Sequence, residues 1–181
     1  MSEIYYNRAK TTQELNEILE LQNANISSNI SNKDKFTEGF VTVYHTLEIL
    51  KAMNDKCPHI IAKCDGKVIG YALCMHKDFK DNIDILKPMF KQIDNCLKTS
   101  ASYMVMGQVC IESSFRKKGV FRGLYNFMKE KMKLDYDLII TEVDQNNTRS
   151  MNAHQAIGFK ILYSYQSNSQ DWNILYLNTD K

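Results

Sequence analysis

The strongest constraint on the fold comes from two apolar runs in the C-terminal half of the chain that are separated by a helical pattern. The runs Tyr103–Ile111 and 138–143 each predict a buried strand. Residues 119–133 between them carry apolar side chains at helical spacing. A helix between two strands is typically the crossover that connects two parallel strands of one sheet, so the pattern predicts an α/β sheet.

The remaining segments add strands and helices to this sheet. Further strands are predicted at residues 4–9, on either side of the Asp65-Gly66 turn, and at 159–165 and 172–178, where the last two form an antiparallel pair. Further helices are predicted from Thr11 or Thr12 onwards and within residues 42–53, 84–98 and 147–157. The polar stretch 26–35 predicts a mobile loop.

Composition favours one domain and argues against two partner classes. With 44% hydrophobic residues and no Pro/Gly/Ser-rich linker, the 181 residues predict a single domain, 1–181. The 23 basic and 21 acidic residues are too balanced for nucleic acid to be the main partner. No apolar run approaches the roughly 20 residues that span a bilayer, and the first residues lack the apolar core of a signal peptide. We therefore expect a cytoplasmic protein without a membrane partner.

The five cysteines are scattered, without a Cys-x-x-Cys pair. An odd number of cysteines with no export signal predicts reduced thiols. No cluster of cysteine and histidine has the spacing of zinc ligands, so no metal site is expected.

A basic segment, "RKKGVFRG" at residues 116–123, stands between the strand that ends near Ile111 and the helix that begins near Gly119. The first N–H groups of a helix and its dipole favour an anion, and a glycine lets the backbone approach that anion closely. The segment therefore predicts a phosphate or pyrophosphate site, although a solvated basic turn capping a surface helix remains open. The segment fits neither a Walker loop nor the three-glycine dinucleotide fingerprint.

Two motifs in this order resemble the GNAT superfamily of N-acetyltransferases. "VCIESSFRKKGVFRGLY" resembles the family's Arg/Gln-x-x-Gly-x-Gly/Ala signature after a strand, with Arg116 and Gly119 on the pattern and Phe121 in place of a small residue. "NTRSMNAHQAIGF" resembles its later motif, matched at Asn147, Ser150, His154, Gly158 and Phe159. The resemblance covers roughly residue 60 to the C-terminus. It implies a mixed, mostly antiparallel central sheet that is splayed between strands 4 and 5 and flanked by helices on both faces.

The resemblance also implies acetyl-CoA as co-substrate. Pantetheine would pair with backbone groups of Val109 and Ile111, and Asn147 would orient it. The pyrophosphate would lie on the loop amides and cations, which are Arg116, Lys117, Lys118, Gly119, Val120, Phe121 and Arg122. Phe121 is also expected to be a core residue of the first helical turn.

The expected chemistry is direct attack of a neutral primary amine on the thioester. An amine with a pKa of about 10.4 is neutral in about one molecule in 10³ at pH 7, whereas a thiol pKa of about 8.5 makes the thiolate a tolerable leaving group. The base should therefore matter more than the acid. Glu142, twelve residues before His154, is the predicted base because family members that acetylate protein amino termini look similar there. Glu112 or a water chain is the alternative.

His154 occupies the place of the family's proton-donating tyrosine. It is predicted either to protonate the thiolate or to hydrogen-bond a carbonyl as a structural residue. His45, His59 and His76 have no motif around them and are expected to be ordinary surface or core residues. The acceptor, a small-molecule or peptide amine, should enter near residues 36–53 and the final hairpin. A monomer or homodimer is expected, and the alternative function is a non-catalytic acyl-CoA sensor.

Overall fold

The computed structural model describes residues 3–25, 43–97 and 101–180. Within these ranges, seven strands form one sheet in the order β1-β2-β3-β4-β5-β7-β6. The strands are β1 Ile4–Arg8, β2 Ile60–Cys64, β3 Lys67–His76, β4 Tyr103–Ile111, β5 Leu138–Asp144, β6 Lys160–Ser167 and β7 Gln170–Asn178. The helices within the described ranges are α1 Thr12–Asn25, α2 Leu47–Lys56, α3 Lys87–Cys96, α4 Val120–Met132 and α5 Thr148–Gln155.

The sheet is mixed. β1 with β2, β2 with β3, β5 with β7 and β6 with β7 pair antiparallel, whereas β4 and β5 pair parallel through the crossover helix α4. The ladder between β4 and β5 covers only Tyr103–Val105 against Leu138–Ile140. β4 nevertheless continues to Ile111 and β5 to Asp144. The predicted fold class, a mostly antiparallel α/β sheet that splays between strands 4 and 5, is confirmed.

The chain forms two compact units, and both are discontinuous in sequence. The first comprises Met1–Cys74 and Gly107–Met128, and the second comprises Met75–Met106 and Lys129–Lys181. The first unit is built on β1, β2, most of β3 and the end of β4. The second contains β5, β6 and β7, which form the antiparallel layer around the central strand β7.

Local sequence signals account for the helix starts. Thr11 Oγ1 accepts a hydrogen bond from the Glu14 N–H, and a Glu14 carboxylate oxygen accepts one from the Thr11 N–H, so the two residues form a capping box. Asn147 begins α5 in a similar way, because its side-chain oxygen accepts the N–H of Ser150 over 3.0 Å. The α1 and α5 predictions from sequence are confirmed.

Both tight hairpins use residues with positive φ. Asp65 and Gly66 have φ of 48° and 82° between β2 and β3, and Asn168 and Ser169 have φ of 52° and 60° between β6 and β7. Two left-handed residues match the twist of a two-residue hairpin. The hairpin predicted at Asp65-Gly66 is therefore confirmed, as is the antiparallel pair at the end of the chain.

The helix predicted within 42–53 begins later than its apolar stripe indicated. Thr46 is the N-cap of α2 and accepts the Ile49 N–H through Oγ1, so Val43 lies before the helix. Likewise α3 begins at Lys87 with Pro88 in its first turn, after a separate 3₁₀ turn at Asp84–Leu86. The loop predicted at 26–35 lies outside the described residues. None of the helices in the described ranges is long and apolar enough to cross a membrane.

Candidate active site

The loop after β4 forms a turn with two left-handed residues directly before α4. A 3₁₀ turn at Ser113–Phe115 leads into Lys117 with φ of 61° and Gly119 with φ of 80°. Among the described residues, no backbone carbonyl accepts the N–H of Lys117, Lys118 or Gly119. A Cβ added at Gly119 would meet no atom within 4 Å. The loop therefore offers backbone donors beside open space, which is the arrangement that anion-binding loops use.

Arg116 shapes this loop through two hydrogen bonds. Its Nε donates to the Ile111 carbonyl over 3.1 Å, and its Nη2 donates to Oδ1 of Asn25 over 2.6 Å. The first bond ties the loop to the end of β4, and the second ties it to the last residue of α1. Arg116, predicted from sequence as a source of charge, thus also holds the loop in its turn.

The other cations of the segment are exposed. Lys117, Lys118 and Arg122 all lie at the surface, and the Lys118 ammonium lies 5.2 Å from the centre of the Phe115 ring. Their charge is therefore available to a ligand at the loop, in addition to the dipole of α4.

Phe121, which departs from the family pattern, packs along its own helix. Its ring meets the Tyr125 ring edge-on with 5.0 Å between centres, and Phe121 is only half-buried. Val120 beside it is 1% exposed and forms the core contact of this turn. A large side chain at position 121 is thus accommodated against α4 itself.

The end of β4 alternates between a buried and a partly exposed side. Val109 and Ile111 are partly exposed, whereas Cys110 between them is buried. Burial raises the pKa of the Cys110 thiol to about 12. A thiol that stays protonated near neutral pH is a poor nucleophile.

A buried polar cluster within the first unit was not foreseen from sequence. Gln22 donates through Nε2 to Gln108 Oε1 over 2.9 Å and lies 3.0 Å from His45 Nδ1. Tyr71 donates its hydroxyl to the same Gln108 oxygen over 2.6 Å, and Gln108 Nε2 donates to the Val43 carbonyl. The cluster joins α1, β3, β4 and the segment before α2. Since its members lie up to 86 residues apart in the sequence, no local motif predicts the cluster.

The predicted base, Glu142, lies on β5 and forms a hydrogen bond with Tyr165 of β6. The Tyr165 hydroxyl donates to Glu142 Oε1 across the intervening strand β7. Burial raises the pKa of the Glu142 carboxyl to about 7, and the hydrogen bond from Tyr165 acts in the opposite direction. Burial also raises the pKa of Tyr165, so this residue remains a donor. The carboxyl group can therefore gain or lose a proton near neutral pH.

His154 lies in α5 and is 2% exposed. Its Nδ1 lies 2.8 Å from the Ser150 carbonyl, which makes Nδ1 the protonated nitrogen, and its ring meets Phe159 edge-on at 5.1 Å. Burial lowers the pKa of His154 to about 4. The ring is therefore neutral at pH 7, and of the two predicted roles this geometry favours the structural one.

The remaining predicted residues have local partners. Asn147 caps α5 through its side-chain oxygen, and Ser150 Oγ lies 3.3 Å from His154 Nδ1. Glu112, the alternative base, accepts the Ser114 hydroxyl over 2.7 Å at the start of the loop.

The other histidines serve the packing. His59 is fully buried, with Nε2 3.1 Å from the Leu50 carbonyl and Nδ1 accepting the Cys74 N–H over 3.0 Å. His76 precedes a 3₁₀ turn and accepts the Asp78 N–H. Within the described ranges, no group of three or more His, Cys, Asp or Glu side chains could hold a metal ion.

Comparison with solved structures establishes the fold. The chain aligns over 99% of its length with 96% of the ribosomal-protein-S18-alanine N-acetyltransferase of Escherichia coli, at 10% identity and a TM-score of 0.66. It aligns over 98% with 95% of the Salmonella typhimurium protein yncA, solved with its cofactor acetyl-CoA, at 13% identity and a TM-score of 0.66. It also aligns over 97% with 98% of a chain of the NatC complex bound to Gag peptide and CoA, at 16% identity and a TM-score of 0.64.

Family membership comes from the sequence itself. No curated protein matches the chain at a significant level. The sequence profile of the Acetyltransferase (GNAT) family, however, matches residues 18–159, which include the loop after β4, Glu142 and His154. The chain therefore belongs to the GNAT family of acetyltransferases.

Proposed function

We propose that this protein transfers an acetyl group from acetyl-CoA to a primary amine by direct attack within a ternary complex. The observation that carries the proposal is the Glu142 carboxyl on β5, which accepts the Tyr165 hydroxyl and whose burial raises its pKa to about 7, a value that suits a base near neutral pH.

The residues of the β4–α4 segment fit acetyl-CoA. The loop amides from Lys117 to Arg122 would bind the pyrophosphate, because Gly119 leaves open space beside the backbone and the nearby cations are exposed. Val109 and Ile111 would pair with the pantetheine amides, and the early end of the β4–β5 ladder supports this assignment. Asn147 would orient pantetheine. When bound, acetyl-CoA supplies the acetyl group as an activated thioester.

Glu142 would take the proton that the acceptor must lose. An aliphatic ammonium with a pKa of about 10.4 has to become neutral before its nitrogen can form the new C–N bond. The ionised Glu142 carboxylate would accept that proton, and the neutral amine would then attack the thioester carbonyl while the C–S bond breaks and the thiolate departs. The second N–H proton, which the nitrogen loses as the amide forms, would go to the thiolate or to water. Cys110 takes no part, because its thiol pKa of about 12 keeps it protonated and direct transfer needs no acetyl-enzyme.

His154 would act chiefly by holding α5 and the residues around it. A neutral imidazole whose Nδ1–H is bonded to the Ser150 carbonyl has no proton to give to a thiolate at pH 7. The thiolate, with a parent thiol pKa of about 8.5, can instead leave unprotonated or take a proton from water.

A screen of small-molecule and peptide amines with acetyl-CoA, read by detection of free thiol, tests the function. The expected result is release of CoA that depends on one amine class and yields the acetylated amine by mass spectrometry. Slow CoA release at one rate with every amine would contradict catalysis and favour the sensor. A stable acetyl group on Cys110 would contradict direct transfer.

A further inference from the structure

The inference concerns Tyr165, a residue that no sequence motif marks. It rests on the proposed role of Glu142. β5 and β6 both pair with β7, with Glu142 opposite Ile174 and Tyr165 opposite Trp172. Residues directly opposite in antiparallel strands place their side chains on the same face of the sheet. The hydroxyl of Tyr165 can therefore reach over β7 to the Glu142 carboxyl.

The hydrogen bond distinguishes the two carboxyl oxygens. Tyr165 donates to Oε1 of Glu142, whereas no described residue donates to Oε2. In the ionised state, Oε1 is therefore engaged and Oε2 is the oxygen that remains to accept a proton.

The other titratable groups on this face do not bond to Glu142. Among the described residues of the three strands, the same face carries Asp144, Lys160, Tyr163 and Tyr176 besides Glu142 and Tyr165. Asp144 is engaged elsewhere, since its carboxylate accepts the Gln170 amide over 2.5 Å and the Asn146 N–H over 2.8 Å. Of these groups, Tyr165 alone contacts the Glu142 carboxyl through a hydrogen bond.

We propose that Tyr165 is a positioning residue that fixes the Glu142 carboxylate through Oε1 and presents Oε2 to the acceptor amine. Burial favours the protonated carboxyl, and a donated hydrogen bond favours the ionised one. The base thus stays partly ionised at neutral pH because the two effects oppose each other. Tyr165 remains protonated and does not itself exchange a proton with substrate.

The test is a titration of the unligated full-length protein by NMR, with ¹³C in the glutamate carboxyl and tyrosine Cζ positions. Tyr165→Phe should raise the Glu142 midpoint by about 1 pH unit, the amount expected for losing one hydrogen bond to a charged group. Tyr163→Phe is the matched control, because Tyr163 lies two residues away on the same face and is 43% exposed. It should leave the midpoint unchanged.

The wild-type protein gives a second readout that needs no variant to fold. The Tyr165 Cζ resonance should shift with the Glu142 titration, near pH 7, and the Tyr163 resonance should not. In an active preparation, Tyr165→Phe should raise the pH midpoint of the acidic limb of the kcat/KM profile by the same amount. An unchanged Glu142 midpoint in Tyr165→Phe, or a silent Tyr165 resonance, would overturn the inference. Since the titration uses no substrate, it stands independently of whether an amine is acetylated.

Discussion

The guanidinium of Arg116 donates a hydrogen bond to Oδ1 of Asn25 over 2.6 Å, which joins the loop after β4 to the last residue of α1. The same side chain bonds the Ile111 carbonyl through Nε. Arg116, the first residue of the basic segment 116–123, is therefore held from two sides.

Removing this bond should weaken CoA binding through the shape of the loop. Arg116→Lys keeps the charge but loses the planar fork that reaches both acceptors, and we expect about 10-fold weaker CoA binding by calorimetry. Asn25→Ala should produce a similar loss although it removes no charge. Asn25→Asp, which keeps an acceptor for Arg116, should bind CoA nearly normally. If Asn25→Ala binds CoA as tightly as the wild-type protein, Arg116 acts by charge alone.

Gly119→Val should reduce CoA affinity at least about 10-fold, because a branched side chain would fill the open space beside the loop amides. The protein has a matched control in Gly66, where φ is also positive and an added Cβ also meets nothing within 4 Å. Gly66→Val should carry a similar backbone strain of about 1–2 kcal/mol and leave CoA affinity unchanged. Unchanged CoA affinity in a folded Gly119→Val protein would refute the phosphate-loop assignment.

Glu142→Gln should lower turnover by about 10²-fold or more with little change in CoA affinity, which is the range of general base catalysis. The wild-type rate should rise with pH through the Glu142 pKa of about 7, as the carboxylate forms. At high pH the defect of Glu142→Gln should shrink, because solvent then deprotonates the amine. A defect that is constant across the pH range would transfer the role of base to Glu112 or an ordered water.

His154→Ala should cost less turnover than Glu142→Gln, about 10-fold, because the thiolate leaves without much help. Since His154 is buried against Phe159 and bonded to Ser150, the same substitution should lower the free energy of unfolding. Urea denaturation and single-turnover kinetics on the same sample check both effects. A large kinetic loss with unchanged stability would instead support the acid role.

The buried histidines predict how stability depends on pH. Burial lowers the pKa values of His45, His59 and His154 from 6.5 to about 4, so the unfolded chain binds more protons than the folded one between these values. Their contribution to the free energy of unfolding is therefore complete above about pH 6.5 and is lost as the pH falls towards 4. Denaturation by urea at a series of pH values should show this loss.

Glu142 contributes with the opposite sign. Its folded pKa of about 7 lies above the ordinary value of 4.5, so its contribution is present at low pH and lost as the pH rises towards 7. Glu142→Gln should therefore make the free energy of unfolding fall more steeply as the pH is lowered from 7 towards 4. It should also raise stability at pH 8 relative to the wild-type protein. A Glu142→Gln stability profile parallel to that of the wild-type protein would contradict the raised pKa.

Sequence predicts the parts of this fold whose determinants are local. The Asp65-Gly66 pair predicts a two-residue hairpin turn, and Thr11 with Glu14 predicts the start of α1. The start of α2 was predicted too early because Val43 continues the apolar stripe. Its carbonyl bonds Gln108, and Thr46 supplies the cap. The Thr46 cap is local, whereas the bond to the Val43 carbonyl comes from a residue 65 positions away.

The candidate site likewise contains residues that local sequence predicts and residues that depend on distant pairing. The loop proposed to bind phosphate is recognisable in the sequence because Arg116, Lys117, Lys118 and Gly119 are consecutive. Tyr165 is not, because its partnership with Glu142 depends on the register of two strands against β7. Alternation along β6 shows that Tyr163 and Tyr165 share a face. Tyr163 pairs with Ile174, which also pairs with Glu142, yet the hydrogen bond to the carboxylate comes from Tyr165, two residues further along β6.

The discontinuity of the first unit has a consequence for the order in which the protein matures during translation. The hydrogen bond between Gln22 and Gln108, and the one between Asn25 and Arg116, can form only after the later residue of each pair has been synthesised. A ribosome therefore exposes Gln22 and Asn25 without these two partners until the segment Gly107–Met128 has left the exit tunnel. Nascent chains arrested before β4 should be sensitive to protease along their N-terminal half, and release of α4 should confer resistance on both segments at once.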